Sequence, residues 1–179
     1  MIYTLEEMKA AWLSRRYRLP LRADCDITVT ACGDGPDYDS GIVDEINDWY
    51  RNLLRHGKPE YLDPEDIKGE AITRYYPEER ALEISLPSGC IRVISISLKG
   101  NPRSVTLIRS DDPRAELQQS AMSCGGYYDP IGVISDDGRL TVYGSRGDSA
   151  PELSRLMAVM ETAEGVYRLN PEGFMNVQC

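Results

Sequence analysis

Residues 91–108, IRVISISLKGNPRSVTLI, decide the fold of this chain. The first eight residues alternate between two faces: positions 91, 93 and 95 lie on one side, and positions 92, 94, 96 and 98 on the other. This period of two is typical of a β-strand. The Lys-Gly-Asn-Pro that follows is a strong turn signal, and residues 103–108 are expected to return as a second strand. The stretch therefore predicts two strands joined by a turn.

Two further hairpins surround this stretch. Residues 72–76 and 81–86 flank the turn sequence PEER, and residues 131–135 and 139–143 flank Asp-Asp-Gly. Together these segments predict an antiparallel sheet between about residues 71 and 145.

The first third of the chain predicts helices. Thr4 and Glu7 have the spacing of a capping box, and the apolar residues after them follow a helical period to about Ser14. A second helix is predicted where apolar residues recur on one stripe. These residues are Ile42, Val43, Ile46, Trp49, Tyr50, Leu53 and Leu54.

The sequence GDGPDYD, residues 33–39, precedes this second helix and allows two interpretations. Its three aspartates suggest a cation-binding loop, but they also suit the N-terminus of a helix, with Asp39 or Ser40 as the N-cap. Counted from Asp37, positions 5 and 6 of an EF-hand loop are Gly41 and Ile42, where an oxygen ligand and then glycine are required. The spacing favours the helix N-terminus.

The remaining predictions are less regular. We expect a weak strand over residues 26–31, a single turn after Asp63 with Pro64 at its first position, a short helix after Asp112, a loop over residues 123–130 and an irregular tail over 165–179. Residues 151–160 carry apolar side chains at helical spacing and predict a C-terminal helix.

The fold class is therefore α+β, with N-terminal helices packed on an antiparallel sheet of hairpins. Residues 1–24 are predicted to form a basic helix and arm, and residues 25–179 a single domain. The predicted core is Ile42, Ile46, Trp49, Leu53, Leu82, Ile84, Ile91, Val93, Ile94, Ile96, Val105, Leu107, Val133, Leu140 and Val142.

Charge and composition narrow the classes of function. The chain of 179 residues has a formal net charge of −9, with its acidic excess concentrated in residues 34–70 and a basic excess in residues 1–22. Nucleic-acid binding needs clustered Lys and Arg, so it is not expected. The sequence has no long apolar run and no signal-peptide pattern, and its five cysteines contain no C-x-x-C, which suits reduced thiols in a cytosol.

No residue pattern predicts catalysis, a cofactor or a metal site. His56 is the single histidine and suits the C-terminal end of a helix. Three acidic pairs fall at predicted turns, where acids are common, and two tyrosine pairs suit sheet faces or interfaces. The acidic pairs are Glu78-Glu79, Asp111-Asp112 and Asp136-Asp137, and the tyrosine pairs are Tyr75-Tyr76 and Tyr127-Tyr128.

One family resemblance spans residues 82–145. Its order is a Leu-Pro, the strand IRVISISL, a turn, a second strand, the segment SDDPRAELQQS and the hairpin PIGVISDDGRLTVY. This order resembles head–tail adaptor or neck-type structural proteins of tailed bacteriophages and prophages of gut bacteria. The resemblance implies ring assembly and contacts with neighbouring proteins, with no active site.

Three hypotheses of function follow. The first is a non-catalytic assembly protein, in the virion or in the cytoplasm of a bacterial host, that associates with itself or with other proteins. The second is an acidic immunity-type module that binds a basic protein through residues such as Asp44, Glu45 and Asp48. The third is a hydrolase that uses carboxylates and a divalent ion, which calorimetry with calcium, magnesium and manganese would test.

Overall fold

The structure, a computed structural model, describes residues 1–16, 38–120, 123–135, 137–144 and 150–175. The chain forms two compact units, one of residues 1–63 and 161–179 (unit 1) and one of residues 64–160 (unit 2). Unit 2 is thus an insertion in the chain of unit 1. The predicted arm and the weak strand over 26–31 lie outside the described residues, as do Asp34 and Asp37, and the domain boundary at residue 24 stays a prediction.

The described chain contains four α-helices and ten strands. The helices are α1 (Leu5–Arg16), α2 (Tyr38–His56), α3 (Pro113–Leu117) and α4 (Pro171–Met175), with a single 3₁₀ turn at Pro59–Tyr61. The strands are β1 (Ile2–Thr4), β2 (Glu65–Asp66), β3 (Ile72–Tyr76), β4 (Ala81–Ser85), β5 (Cys90–Leu98), β6 (Thr106–Arg109), β7 (Ile131–Ile134), β8 (Leu140–Tyr143), β9 (Leu153–Met160) and β10 (Val166–Arg168). The chain contains both helices and antiparallel sheets, which confirms the predicted α+β class.

The capping box at the start of α1 is confirmed. The Glu7 carboxylate accepts hydrogen bonds from the Thr4 backbone N–H at 2.7 Å and from the Thr4 hydroxyl at 3.0 Å. These bonds, the backbone one first, lower the pKa of Glu7. The predicted helix therefore begins where its sequence signal lies.

In unit 1, α1 packs against α2 and against the antiparallel pair of β1 and β10. The rings of Trp12 and Trp49 meet edge to face, with their centroids 6.0 Å apart. Helix α1 thus packs on a two-stranded sheet of unit 1, and the predicted packing of the N-terminal helices on the hairpins of residues 71–145 stays a prediction.

Helix α2 begins at Tyr38, so the predicted N-cap at Asp39 or Ser40 was wrong. Its buried residues are Ile46, Tyr50 and Leu54. The Tyr50 ring packs on that of Tyr167, with centroids 5.0 Å apart, and its buried hydroxyl accepts a hydrogen bond of 2.9 Å from the Arg168 backbone N–H. The predicted core positions Ile42, Trp49 and Leu53 lie at the margins of this face and are half-buried.

Unit 2 contains two sheets. The order in the smaller sheet is β2-β9-β5, and the order in the larger is β3-β4-β8-β7-β6. All pairs are antiparallel except β6 with β7. Side chains of both sheets meet in one hydrophobic cluster of Ile67, Leu82, Ile84, Val93, Ile96, Leu98, Val105, Leu140, Val142, Leu153, Leu156 and Ala158.

The predicted hairpins β3–β4 and β7–β8 are confirmed. The strand over residues 91–98 is confirmed as β5, and the chain returns beside it only as far as Val105, whose N–H donates a hydrogen bond of 2.9 Å to the Ile96 carbonyl. Strand β5 pairs with β9, and β6 pairs in parallel with β7. The turn at residues 99–102 therefore carries the chain from one sheet to the other instead of closing a hairpin.

Residues 153–160 form β9 and not the predicted helix. The β5–β9 ladder has three register shifts, which leave Ile91 and Ile94 unpaired on β5 and Ser154 unpaired on β9. A bulge moves the buried face by one residue, so the burial period departs from two. On β9 the result is an apolar spacing that imitates a helix, and on β5 it leaves Ile91 and Ile94 half-buried.

Two shorter predictions were also wrong. Pro64 does not begin a helical turn, because Glu65–Asp66 forms β2 against β9 and the Asp66 carboxylate accepts a hydrogen bond of 3.1 Å from the Leu156 backbone N–H. The tail is not irregular, since it contains β10 and α4.

Most of the predicted core is buried. Nine of the predicted core positions are buried. The predicted core positions of unit 2 that are half-buried instead are Ile91, Ile94 and Leu107. The buried nine are Ile46, Leu82, Ile84, Val93, Ile96, Val105, Val133, Leu140 and Val142.

Candidate macromolecular recognition surface

The loop of residues 123–130, here called the tyrosine loop, is fixed to two other loops of unit 2. The Tyr127 hydroxyl donates a hydrogen bond to the Gly100 carbonyl. In return, the Asn101 amide donates to the carbonyls of Tyr127 at 3.1 Å and Gly144 at 3.3 Å. One side chain of the 99–102 turn thus joins three segments of chain.

A buried glutamine fixes the beginning of the tyrosine loop. Gln118 follows α3 and is only 3% exposed. Its carbonyl oxygen accepts a hydrogen bond of 2.6 Å from the Gly125 N–H, and its amide nitrogen donates one of 2.9 Å to the Arg114 carbonyl. Because both ends of this side chain are bonded, it carries no unsatisfied polar atom into the interior.

The tyrosine loop presents one aromatic side chain to solvent. Tyr128 is 71% exposed, and its ring meets that of Tyr127 edge to face with centroids 5.1 Å apart. Beside it, the Arg103 guanidinium lies 2.6 Å from the Asp129 carboxylate. A tyrosine whose backbone is already fixed loses little conformational entropy on binding, which suits an anchor residue at an interface.

The Asp112 carboxylate, at the start of the helix that precedes the tyrosine loop, makes the stability of unit 2 depend on pH. This carboxylate caps α3 by accepting from the Arg114 N–H at 2.9 Å and from the Arg114 side chain at 2.7 Å. The Arg114 side chain first, and then its backbone N–H, lower the pKa of Asp112 to about 2. Since the folded pKa lies below the usual 3.8, this contribution to stability is present above about pH 4 and is lost as the pH falls through about 2.

We therefore expect the free energy of unfolding of unit 2 to fall between about pH 4 and pH 2, and to fall less steeply in Asp112→Asn. Urea unfolding at several pH values, followed by circular dichroism, measures both slopes. Asp111→Asn is the matched control and should keep the native slope, because Asp111 is exposed and does not cap α3. Equal slopes for native protein and Asp112→Asn would contradict this assignment.

The other predicted candidates lie at separate positions. Asp137 bonds to Arg139 within its turn, at 2.9 Å, and Asp136 lies outside the described residues. Glu78 and Glu79 are exposed in the β3–β4 turn, and His56 is exposed at the end of α2. Within the part of the chain that the structure describes, no three His, Cys, Asp or Glu side chains are placed to hold a metal ion.

The two tyrosine pairs differ in their surroundings. Tyr75 packs against the hydrophobic cluster of unit 2, whereas Tyr76 lies under the Arg74 guanidinium at 5.1 Å. The pair in the tyrosine loop is therefore the one that presents an exposed ring.

The acidic face of α2 is the second surface to consider. Asp44, Glu45 and Asp48 are exposed. Glu45 accepts a hydrogen bond of 3.3 Å from the Trp12 indole, and Asp48 lies 3.3 Å from Arg51. Two of the three acids thus have internal partners as well as exposure to solvent.

Comparison with known proteins does not extend this description. No protein-family model, curated protein or solved structure matches the chain. Among the described helices, none combines the length and apolar character that a membrane span requires.

Proposed function

We propose that this chain is a non-catalytic assembly protein that binds another protein through the tyrosine loop. The observation that supports the proposal is Tyr128, which is 71% exposed on a loop fixed by the Gly125 N–H, which donates to Gln118, and by bonds that Asn101 and Tyr127 donate. Exposed tyrosines on ordered loops are frequent anchors of protein interfaces. The resemblance of residues 82–145 to phage head–tail adaptors suggests a virion connector as the setting.

The test places a photo-crosslinking amino acid at position 128 in cells that make the protein. We expect one product of discrete mass, whose protein partner is then identified and purified. The same substitution at Met175, which is 68% exposed in unit 1, is the control and should not give that product.

Binding of the purified partner then decides the proposal. We expect Tyr128→Ala to weaken binding at least 30-fold, about 2 kcal/mol or more, as for an interface anchor. Met175→Ala should leave binding unchanged, and neither change should alter stability by more than about 0.5 kcal/mol. If Tyr128→Ala binds as tightly as the native protein, the tyrosine loop is not the recognition surface.

The acidic face of α2 supports a second candidate, an immunity-type module that masks a basic protein. Asp44→Lys together with Asp48→Lys should weaken binding of such a partner about tenfold or more, with a strong dependence on ionic strength. Glu45 is kept because it bonds to Trp12. If calorimetry shows that Tyr128→Ala weakens binding and the α2 variant does not, the second candidate is eliminated.

A further inference from the structure

Met157 of unit 2 has an arginine against its sulfur atom. The Arg155 Nε–H donates a hydrogen bond to this sulfur, with 3.1 Å between the nitrogen and sulfur atoms. A thioether sulfur is only a weak acceptor, so this bond distinguishes Met157 from a methionine that is merely exposed. The bond lies at the surface, where small solutes in water reach it.

The place of Met157 in the sheet explains why its sulfur is at the surface. It lies on β9, the central strand of the small sheet. Leu156 and Ala158, its neighbours in sequence, belong to the hydrophobic cluster of unit 2. Side chains alternate along a strand, so Met157 lies on the opposite face, together with Arg155. Arg155 is exposed there and Met157 is half-buried.

The neighbouring strands keep the two side chains in this arrangement. Met157 lies opposite Asp66 of β2 and Ser95 of β5, so its side chain has a neighbour on each side. Backbone hydrogen bonds, the one from Leu156 first, lower the pKa of Asp66, and the charge of Arg155 lowers it further. Attraction to this carboxylate keeps the guanidinium on the side of the sheet where Met157 lies.

The hydrogen bond makes the two lone pairs of the sulfur unequal. Oxidation through one lone pair or the other gives opposite epimers of methionine sulfoxide. The Arg155 Nε–H occupies one lone pair of Met157 and leaves the other open. Attack through the occupied lone pair first has to break the hydrogen bond, which slows that route about fivefold, the rate equivalent of one net hydrogen bond.

We propose that Met157 is a modification site, at which hydrogen peroxide forms one epimer of methionine sulfoxide in preference to the other. The open lone pair of the sulfur attacks one peroxide oxygen, the O–O bond breaks and an S=O bond forms. The sulfur loses two electrons and the peroxide is reduced. The departing hydroxide takes the proton of the attacked oxygen and becomes water.

The sulfoxide keeps a hydrogen-bond partner at the surface of the sheet. Its oxygen is a stronger acceptor than the sulfur, and the exposed Arg155 side chain turns to donate to it. Oxidation of Met160 would instead place a polar group against the hydrophobic cluster, on which that residue packs. The protein modified at Met157 therefore stays folded, and its sulfoxide remains open to enzymatic reduction.

Limited oxidation of the whole protein with hydrogen peroxide, followed by digestion and mass spectrometry, tests the proposal. Each of the two classes of methionine sulfoxide reductase reduces one epimer, so treating the digest with each enzyme in turn gives the epimer ratio at every methionine. At Met157 we expect a ratio of about five to one. Met175, which is 68% exposed in unit 1, is the comparison and should give nearly equal amounts.

Two arginine variants test the origin of the preference. Arg155→Leu removes the donor at an exposed position, so the two epimers at position 157 should then form in equal amounts. Arg109→Leu removes an exposed arginine from β6 of the same unit and should keep the native ratio. Circular dichroism checks that both variants are folded.

Equal amounts of the two epimers at Met157 in the native protein overturn the proposal. So does a preference that Arg155→Leu leaves intact, or a Met157 that stays reduced when Met175 is fully oxidised. The inference is independent of the proposed function, because Met157 lies on β9 and not in the tyrosine loop, and Tyr128→Ala should leave the epimer ratio unchanged.

Discussion

Replacing Gly173 with alanine is expected to destabilise unit 1 by about 3 kcal/mol, because the site cannot accept a methyl group. An alanine Cβ would lie 2.1 Å from the Tyr61 carbonyl oxygen and 2.9 Å from its carbon. This obstacle is backbone, and it is held in place by the hydrogen bond of 3.1 Å from the Asn170 N–H to the same carbonyl. The helix α4 has to move away from the 3₁₀ turn to relieve the clash.

Displacement of α4 also breaks a ring contact that it makes in unit 1. The Phe174 ring stacks on Tyr3 of β1, with centroids 4.1 Å apart. Both tryptophans of the chain, Trp12 and Trp49, belong to unit 1, so urea unfolding followed by tryptophan fluorescence reports on this unit. A midpoint equal to that of the native protein would contradict the predicted clash.

Gly41→Ala is the matched control for this experiment. Gly41 lies in α2 of the same unit, and no atom lies within 4 Å of the position that an alanine Cβ would take. Alanine is favoured over glycine in a helix by about 0.5–1 kcal/mol, so this variant should be slightly more stable than the native protein.

Replacing Gly144 with alanine should destabilise unit 2 by a similar amount, about 3 kcal/mol. The residue has φ of +149°, which side chains rarely adopt, and an alanine Cβ would lie 2.5 Å from the Cβ of Pro130. Because the Gly144 carbonyl accepts from Asn101, relief of this clash also loosens the tyrosine loop. Binding through Tyr128 should weaken together with stability.

Two measurements follow the effect of Gly144→Ala. Urea unfolding by circular dichroism gives the loss of stability, and amide hydrogen exchange over residues 123–130 gives the loss of order in the tyrosine loop. Gly126→Ala is the control within the same loop, because its Cβ would meet no atom within 4 Å. If both variants exchange at the native rate, Gly144 does not fix the loop.

Local sequence signals predicted those elements that depend on local contacts. The capping box of Thr4 and Glu7 and the cap of α3 at Asp112 each need residues only a few positions apart. The hairpins β3–β4 and β7–β8 likewise join strands that are adjacent in sequence. Such contacts leave a readable spacing, and the structure follows it.

Elements that depend on distant partners were misread. The apolar spacing of β9 predicts a helix, because its buried face is set by bulges in a ladder with β5, more than fifty residues earlier in the sequence. The parallel pairing of β6 with β7 is also invisible in the pattern, since an apolar strand of four residues suits either direction.

The tyrosine loop likewise has one feature that the sequence predicts and others that depend on contacts between distant residues. The sequence identified Tyr127 and Tyr128 as a candidate pair, but it gave no reason to prefer them to Tyr75 and Tyr76. The residues that fix the loop, Gln118 and Asn101, have common side chains whose role depends on where the fold places Gly125 and Gly144. No pattern in the sequence marks Gln118 or Asn101 for this role.

The insertion of unit 2 has a consequence for the order of events during protein synthesis. Unit 2 is a single run of chain, so it can fold as soon as its last strand has left the ribosome. Unit 1 has to wait, because the Met1 amino group bonds to the Leu169 carbonyl, 168 residues later. Until translation reaches that point, β1 lacks its partner strand β10, and the apolar face of α1 stays without the two-stranded sheet that covers it.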